Sequence, residues 1–319
     1  MSYTLGDIVP VLAMIEDPAP PAYEPVSLND DDAQSLPDDA AATATVTADE
    51  AGAVSAAPVT SSLRTTLRTL RSVGGWKSFL RGFGCRVAAG LATSFVYGVM
   101  VSAYVPRLIA GPACAVALIQ LHTAWVHVVI SAPSPLPFWR RLPPFRRVFN
   151  AAALPFVLYF FALEVSTFVP RLLAQALGLM TQRDTHADQP GMAVPSLDAS
   201  DAWKAVVVFV VGLALRVFLA IPAHVVLTRV QASLLPEEDE AIVAFDRSFR
   251  GRVEPAVVGG KGYVSPLDAW RTFSRASWVR LLKLYAKLFA VGLAVGFAWA
   301  LIVVPELLVM LRYAKKIEE

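Results

Sequence analysis

Charged residues are scarce in this 319-residue chain, and those present are unevenly placed. They make up 17% of the sequence, whereas 55% is hydrophobic and the mean hydropathy is +0.53. Soluble domains carry about 25% charged residues. The first 63 residues contain no lysine or arginine, so all 28 basic residues follow Leu63. This composition excludes an ordinary soluble protein, and we expect the basic part to contact a lipid bilayer, including anionic lipids, rather than nucleic acid.

Cysteine and catalytic motifs are equally scarce. The two cysteines, Cys85 and Cys114, lie in apolar segments, where small buried side chains are more common than a disulfide. The sequence contains no nucleophilic triad, nucleotide fingerprint or pair of catalytic carboxylates. We therefore expect a non-enzymatic protein with no cofactor and no bound metal.

The acidic N-terminal region, residues 1–62, is predicted to be largely disordered. Between residues 17 and 60 it is rich in Pro, Ala, Ser, Thr and Asp, with a DDD run at 30–32. Such a segment buries too little apolar surface to offset the entropy lost on ordering. The apolar run IVPVLAMI at 8–15 is too short to span a bilayer.

Residues 63–82 are predicted to form an interfacial amphipathic helix. Leucines and arginines follow two neighbouring stripes of this helix, and Trp76 and Phe79 come after them. A helix with an apolar stripe, a basic stripe and aromatic residues lies in the head-group plane of a membrane. The two stripes consist of Leu63, Leu67 and Leu70 and of Arg64, Arg68 and Arg71.

Five later segments are long and apolar enough to cross a bilayer, which takes about 20 helical residues. The sequence therefore predicts an all-α polytopic transmembrane bundle over 83–313, with a basic loop at 231–284 and a tail at 314–319. The basic clusters share one side of the membrane under the positive-inside rule, which leaves the C-terminus on the other side. An intracellular membrane, mitochondrial or of the endoplasmic reticulum, is expected. The predicted spans are 83–105, 111–132, 148–173, 203–230 and 285–311.

Ionisable residues inside spans are functional candidates, because a charge in the bilayer is costly. Glu164 and Arg216 lie at similar predicted depths in consecutive spans, and we predict that they form a buried ion pair. The pair would either belong to a substrate site or serve only as a structural bridge between helices.

Three histidines, His122, His127 and His224, also lie in predicted spans. They are compatible with zinc binding or a proton relay. No carboxylate or thiolate accompanies them at ligand spacing, so interhelical hydrogen bonds, with Gln120 and Thr123 as partners, are the favoured interpretation.

A basic and aromatic cluster precedes the third span. It is predicted either to anchor the protein at the membrane interface or to bind an anionic lipid head group. Its members are Trp139, Arg140, Arg141, Arg146 and Arg147.

Short sequences recur along the chain and indicate an internal repeat of helix pairs. VPRL at 105–108 and 169–172 matches VPEL at 304–307, and HVV occurs at 127–129 and 224–226. The order distantly resembles the three repeats of mitochondrial carriers, in which a span ends in Pro-x-Asp/Glu-x-x-Lys/Arg-x-Lys/Arg. Pro222 and Arg229 match that pattern, but His224 replaces its acidic residue and Leu227 a basic one. The ion-pair gate of the carriers is therefore not expected here.

A second resemblance covers most of the chain. YTLG at 3–6, LAMIEDP at 12–18, LHTAW at 121–125, VIS at 129–131 and FWRRLP at 138–143 resemble a fungal family of uncharacterised integral membrane proteins, often named "ubiquitin carrier protein". The resemblance implies a sixth span upstream of Tyr3 in the intact protein. Neither cysteine has the polar His-Pro-Asn context of a ubiquitin-conjugating thiol, so ubiquitin is not an expected partner.

Two functions are compatible with these features. The first is a non-enzymatic membrane scaffold or adaptor that holds lipids or a membrane-protein partner. The alternative is a solute-carrier-like transporter with degenerate carrier-type repeats, whose cavity would be lined by Arg216, Glu164 and the histidines.

Overall fold

The computed structural model describes residues 3–17, 58–179, 201–254 and 259–318. These residues form helices and no β-strand, apart from one isolated bridge between Ser131 and Ala241. The predicted all-α class is confirmed. The helices are α1 (Thr4–Ile15), α2 (Leu63–Gly74), α3 (Phe83–Ser102), α4 (Arg107–Ala117), α5 (Ile119–Ile130), α6 (Phe145–Ala176), α7 (Ala202–Ala232), α8 (Pro266–Arg271) and α9 (Arg275–Glu318).

Four helical stretches, which contain α3, α6, α7 and α9, are long and apolar enough to cross a membrane. Helices α4 and α5 meet at a bend of 55° and count as a fifth span if the bent pair crosses as one. The protein buries only 28% of an apolar 18-residue stretch of α6 and none of the corresponding stretch of α9. Soluble monomers rarely expose apolar surface on this scale. The architecture is therefore an all-α helical membrane bundle whose outer surface lies against lipid chains.

Several boundaries differ from those predicted. Helix α6 continues through Pro170 and α9 through Pro305, so the shared Val-Pro sequences do not end these spans. Proline is tolerated inside membrane helices, because neighbouring helices and local adjustments satisfy the freed carbonyl groups. The predicted basic loop at 231–284 contains α8 and the first ten residues of α9. The predicted tail at 314–319 continues α9 as far as Glu318.

Helix α1 contradicts the prediction of disorder for the first part of the N-terminal region. Residues 8–15 are all buried, and each of them except Pro10 is at most 1% exposed. A helix that is apolar on every side is stable only when it is surrounded by protein or lipid. Its first turn is π-helical, and the amide of Val9 bonds to the carbonyl of Thr4. Pro10 follows and has no N–H to continue an α-helical ladder, which accounts for the wide turn. The remainder of the predicted disordered region, residues 18–57, lies outside the described residues.

The predicted interfacial helix has its apolar stripe turned inward. Leu70 is 1% exposed, whereas Arg64, Arg68 and Arg71 are exposed. Helix α2 ends at Gly74, and a 3-10 turn at Gly75–Leu80 leads to Gly82, whose positive φ of 67° starts α3. Helix α2 is thus a basic surface helix fixed to the bundle by its leucine side.

The protein core lies at one end of the bundle, where α3, α6 and α9 begin and α5 and α7 end; we call this the basic end. Helix α1 contributes side chains to two of its hydrophobic clusters, one with α5 and the other with Val225 and the start of α9. A third cluster joins α6, the end of α7 and α8. Toward the opposite end the spans are mostly exposed, so lipid contacts replace protein contacts there.

Candidate functional site

Arg229 of α7 is the centre of a hydrogen-bond network at the basic end. The residue is 7% exposed. Its guanidinium donates to the carbonyl of Ala269 at 3.0 Å, to the hydroxyl of Thr272 at 2.9 Å and to the carbonyl of Met14 at 3.4 Å. The carbonyls belong to α8 and α1, so one cation joins three helices. The carrier pattern contains a basic residue at this position, but the network gives Arg229 a structural role.

Two aromatic rings complete the surroundings of this guanidinium. The centroids of Phe249 and Phe273 lie 4.9 and 5.4 Å from the Arg229 Cζ atom. A cation over aromatic faces is favourable, and more so where water is excluded.

The turn that presents Phe249 is held by Asp246. Its carboxylate accepts bonds from the Ser248 amide and hydroxyl, at 2.8 and 2.6 Å, and from the Arg250 amide at 2.7 Å. Burial acts to raise the pKa of Asp246, but these hydrogen bonds outweigh it and lower the pKa below its ordinary value. Phe249 and Arg250 have positive φ values of 49° and 59°, which the hydrogen-bonded turn maintains.

Glu16 forms a second buried polar centre, at the end of α1. Its side chain is 1% exposed and accepts bonds from the amides of Val59 and Thr60 at 2.5 and 2.9 Å, and from the Thr60 hydroxyl. Arg280 of α9 lies 3.5 Å from the carboxylate and donates to the Glu16 carbonyl at 2.7 Å. Residues 16 and 59–60 are therefore adjacent, and both are joined to α9.

Two of the three histidines make interhelical hydrogen bonds, but with Gln231 as the partner rather than Gln120. His127, 1% exposed, donates through Nε2 to the Gln231 carbonyl at 2.9 Å. The Gln231 amide donates to His122 Nδ1 at 3.0 Å and to the Thr123 hydroxyl at 3.1 Å. His224 instead stacks on Tyr159, with ring centroids 4.8 Å apart. Within the described ranges no group of three His, Cys, Asp or Glu residues is placed to hold a metal ion, and Cys85 and Cys114 are buried free thiols.

Three of the five residues of the predicted head-group cluster line a cavity at the basic end, whereas Trp139 and Arg146 do not. A space of about 230 Å³ is lined by Arg140, Arg141 and Arg147, with prolines and aliphatic side chains between them. Arg141 is fixed by the Ser131 hydroxyl at 2.7 Å and by Asp239 at 3.0 Å.

The other arginines of this cluster keep more of their bonding capacity. Arg147 donates to the Gly262 carbonyl at 2.9 Å. Arg140 and Arg146 are exposed and make no side-chain bond to any described residue, and Trp139 beside them is 62% exposed. Uncommitted cations next to an exposed indole are typical of a membrane interface.

The predicted Glu164–Arg216 pair does not form. Both side chains are exposed, and the ion pairs of the described residues do not include them. Arg216 lines a cavity between three helices, and Glu164 does not line it.

Arg216 lines an intramembrane cavity of about 450 Å³ between α6, α7 and α9. His224 and the rings of Tyr159 and Tyr285 contribute to the same cavity, whereas Glu164, His122 and His127 do not. Arg216 opens a π-helical turn, Arg216–Ala220, ahead of Pro222. Such turns often occur at functional positions in helices.

A second charged pair joins α1 to α3, and both of its side chains are partly exposed. Asp7 of α1 is 3.8 Å from Arg86 of α3, whose guanidinium stands over the Trp125 ring at 5.6 Å. The His122 ring is 5.5 Å from the same indole.

Sequence reasoning gave no role to Glu16 and noted Arg229 and Gln231 only as positions that match the carrier pattern. Glu16 precedes a proline-rich acidic stretch, and nothing in that context distinguishes it from the other carboxylates. No local pattern marks these residues, because their partners lie far away in the chain: Arg280 is 264 residues from Glu16 and Met14 is 215 from Arg229.

No protein-family model, curated protein or solved structure matches this chain. The resemblances to the fungal membrane family and to mitochondrial carriers stay predictions.

Proposed function

We propose that this protein is a non-enzymatic membrane scaffold that binds anionic lipid head groups at the basic end of its bundle. The observation that carries the proposal is the cavity lined by Arg140, Arg141 and Arg147. Arg141 is neutralised by Asp239, so Arg140 and Arg147 supply the net positive charge. Basic pockets at the cytoplasmic ends of membrane helices are suited to lipid phosphates.

The packing of the basic end supports a scaffold role. Helix α1 fills the space between the spans, and the Arg229 and Glu16 networks join it to α7, α8 and α9. Helix α2 presents three exposed arginines on the rim of the same platform. A rigid platform with basic groups on its surface fits a protein that organises lipids or a membrane-protein partner.

The test is lipid-dependent thermal stability of the full chain in nanodiscs of phosphatidylcholine with and without phosphatidylserine. A ligand that binds only the folded state stabilises it, so we expect the anionic lipid to raise the melting temperature. The double variant Arg140→Gln/Arg147→Gln should lose most of that increment, because each basic residue near an anionic surface contributes about 1 kcal/mol.

Arg171→Gln is the matched control, since Arg171 is exposed near the far end of α6 and makes no side-chain bond to a described residue. If phosphatidylserine raised the melting temperature equally in wild type and in the double variant, the head-group site would be refuted.

A solute-carrier-like transporter is the second candidate, and the cavity around Arg216 and His224 favours it. Uptake of anionic solutes into proteoliposomes, lost in Arg216→Gln but kept in Arg171→Gln, would favour transport over the scaffold role. Absence of uptake with wild-type protein that retains its fold would exclude it for the solutes used.

A further inference from the structure

We propose that the intramembrane cavity between α6, α7 and α9 binds an amphipathic anion, such as a long-chain carboxylate or a single-chain phosphate lipid. Its acidic head group would pair with Arg216, and its chain would lie along the apolar lining. The site is separate from the arginine cavity at the basic end, so this proposal does not depend on the scaffold function.

The position of Arg216 supplies the first argument. Lys204 and Arg229 are the other lysine and arginine of α7, and they lie 12 and 13 residues from Arg216 along the helix. At about 1.5 Å per residue, Arg216 is roughly 18–20 Å from each. It therefore stands near the middle of the span, where a cation is costly unless an anion or water accompanies it.

The protein itself offers Arg216 no compensating group in the described part of the chain. The guanidinium makes no hydrogen bond or ion pair there, Glu164 does not line the cavity, and the carboxylate of Asp7 on α1 is paired with Arg86. Lys204, in contrast, is paired with Asp201 at 2.7 Å, and Arg229 has three hydrogen bonds. An arginine stays charged at any ordinary pH, so a bound anion is the missing partner.

The remaining polar groups of the cavity fit an oxyanion. Tyr159, Tyr285 and His224 line the cavity with Arg216, and their side chains make no hydrogen bond to a described residue. Hydroxyl and imidazole N–H groups donate to carboxylate or phosphate oxygens. One fixed cation and three nearby groups that are free to donate can hold a head group with several oxygens.

The rest of the lining fits a hydrocarbon chain. Aliphatic and aromatic side chains of all three helices cover it, and Leu213, Arg216 and Phe289 are exposed at its edge. These exposed residues lie on spans that face lipid, so the cavity opens toward the acyl-chain region. Its volume of about 450 Å³ falls within the range of small-molecule sites. A wholly water-soluble anion would find little polar surface there.

The wide turn after Arg216 gives the site its shape. Pro222 has no N–H for the carbonyl of Phe218, and the amide of Ile221 reaches back to the Arg216 carbonyl instead. The π-helical turn shifts the following residues around the helix axis. His224 consequently faces the same cavity as Arg216.

Photo-crosslinking on the full chain in phosphatidylcholine nanodiscs tests the proposal. The probe is a diazirine-bearing long-chain carboxylic acid, with oleate, lysophosphatidate and oleyl alcohol as competitors. We expect labelled peptides from α6, α7 and α9, and competition by one or both anions but not by the neutral alcohol. The preferred anion distinguishes a carboxylate ligand from a phosphate ligand.

Arg216→Gln should weaken labelling about 10- to 100-fold, in line with the loss of charged hydrogen bonds. Arg216→Lys should retain part of it, and Arg171→Gln should match wild type. Thermal stability measured on each variant shows whether the fold is kept, and the head-group variant Arg140→Gln/Arg147→Gln should still bind the probe.

Two results would overturn the proposal. One is equal labelling of wild type and a folded Arg216→Gln variant. The other is equal competition by oleyl alcohol and oleate, which would mean that the cavity takes any lipid chain. A third possibility is that Glu164 of a second copy neutralises Arg216. The wild-type protein would then crosslink as a dimer and would not bind the anionic probe, and Glu164→Gln would be monomeric. That outcome would also overturn the proposal.

Discussion

Replacement of Arg229 by methionine should destabilise the protein more than any surface substitution of the same kind. Methionine keeps much of the apolar stem but removes the donors that serve the carbonyls of Ala269 and Met14 and the hydroxyl of Thr272. The hydroxyl keeps its own bond to the Asp268 carbonyl, so the two carbonyls carry most of the cost. Each buried acceptor left unpaired costs about 1–3 kcal/mol. The Met14 contact is long at 3.4 Å and contributes least.

The loss of the ring contacts with Phe249 and Phe273 adds about 0.5–2 kcal/mol. The variant no longer has the desolvation cost of a buried guanidinium, and the methionine side chain packs well among apolar groups. Both effects offset part of the destabilisation. We therefore expect a net loss of about 4 kcal/mol in the free energy of unfolding. At about 2–4 °C per kcal/mol, the melting temperature should fall by about 8–16 °C.

The assay is thermal unfolding of the full chain in phosphatidylcholine nanodiscs, followed by tryptophan fluorescence. Arg271→Met is the control, because Arg271 of α8 is exposed and has no side-chain bond to a described residue. Its melting temperature should stay within about 1–2 °C of wild type, since surface substitutions usually change stability by less than about 0.5 kcal/mol. A similar shift for both variants would mean that Arg229 does not join the three helices.

Two further predictions concern the carboxylates at the basic end. Glu16→Gln removes the carboxylate 3.5 Å from Arg280, whose side chain is 10% exposed, and leaves Asp17 as the other acidic residue that acts on the guanidinium. Breaking a buried pair costs about 3–5 kcal/mol, and Asp17 reduces that cost. The melting temperature should still fall more than in the exposed-loop control Glu237→Gln, and equal shifts would exclude the pair. Because the folded-state pKa of Asp246 is lowered, its stabilisation is complete above the unfolded pKa of about 3.9 and is lost as the pH falls through the folded value. The difference in melting temperature between wild type and Asp246→Asn should therefore be constant near neutral pH and shrink below about pH 4; a difference that grows in acid would contradict the lowered pKa.

The features predicted well from the sequence are those that depend on neighbours along the chain. The long spans follow from apolar runs, and α2 follows from its leucine and arginine stripes, whose 3.6-residue period fixes which side faces the protein. The cluster at 138–147 was recognised as basic and aromatic from its residue types, and three of its arginines line one cavity at the basic end.

Features that depend on distant partners were missed or misjudged. Helix α1 contains Pro10 and is only 12 residues long, which is too short to be stable alone in water. Burial against α5, α7 and α9 stabilises it, and no local sequence pattern predicts those contacts. Glu16 lies in an acidic sequence context, yet its carboxylate is buried, because Arg280 and the backbone at 59–60 meet it there.

The Glu164 and Arg216 result separates two kinds of information. Counting residues from a helix end gives the depth of a side chain, since the rise per residue is constant. The direction in which the side chain points depends on how the helix is rotated against its neighbours, and the sequence of one helix does not contain that rotation. Equal depth was therefore a necessary condition for the pair but not a sufficient one. Arg216 faces the cavity with Tyr159 and His224, and Glu164 does not line it. Arg216 has no ion pair with a described residue, and the anion proposed above would supply the counterion that a cation near the middle of a span lacks.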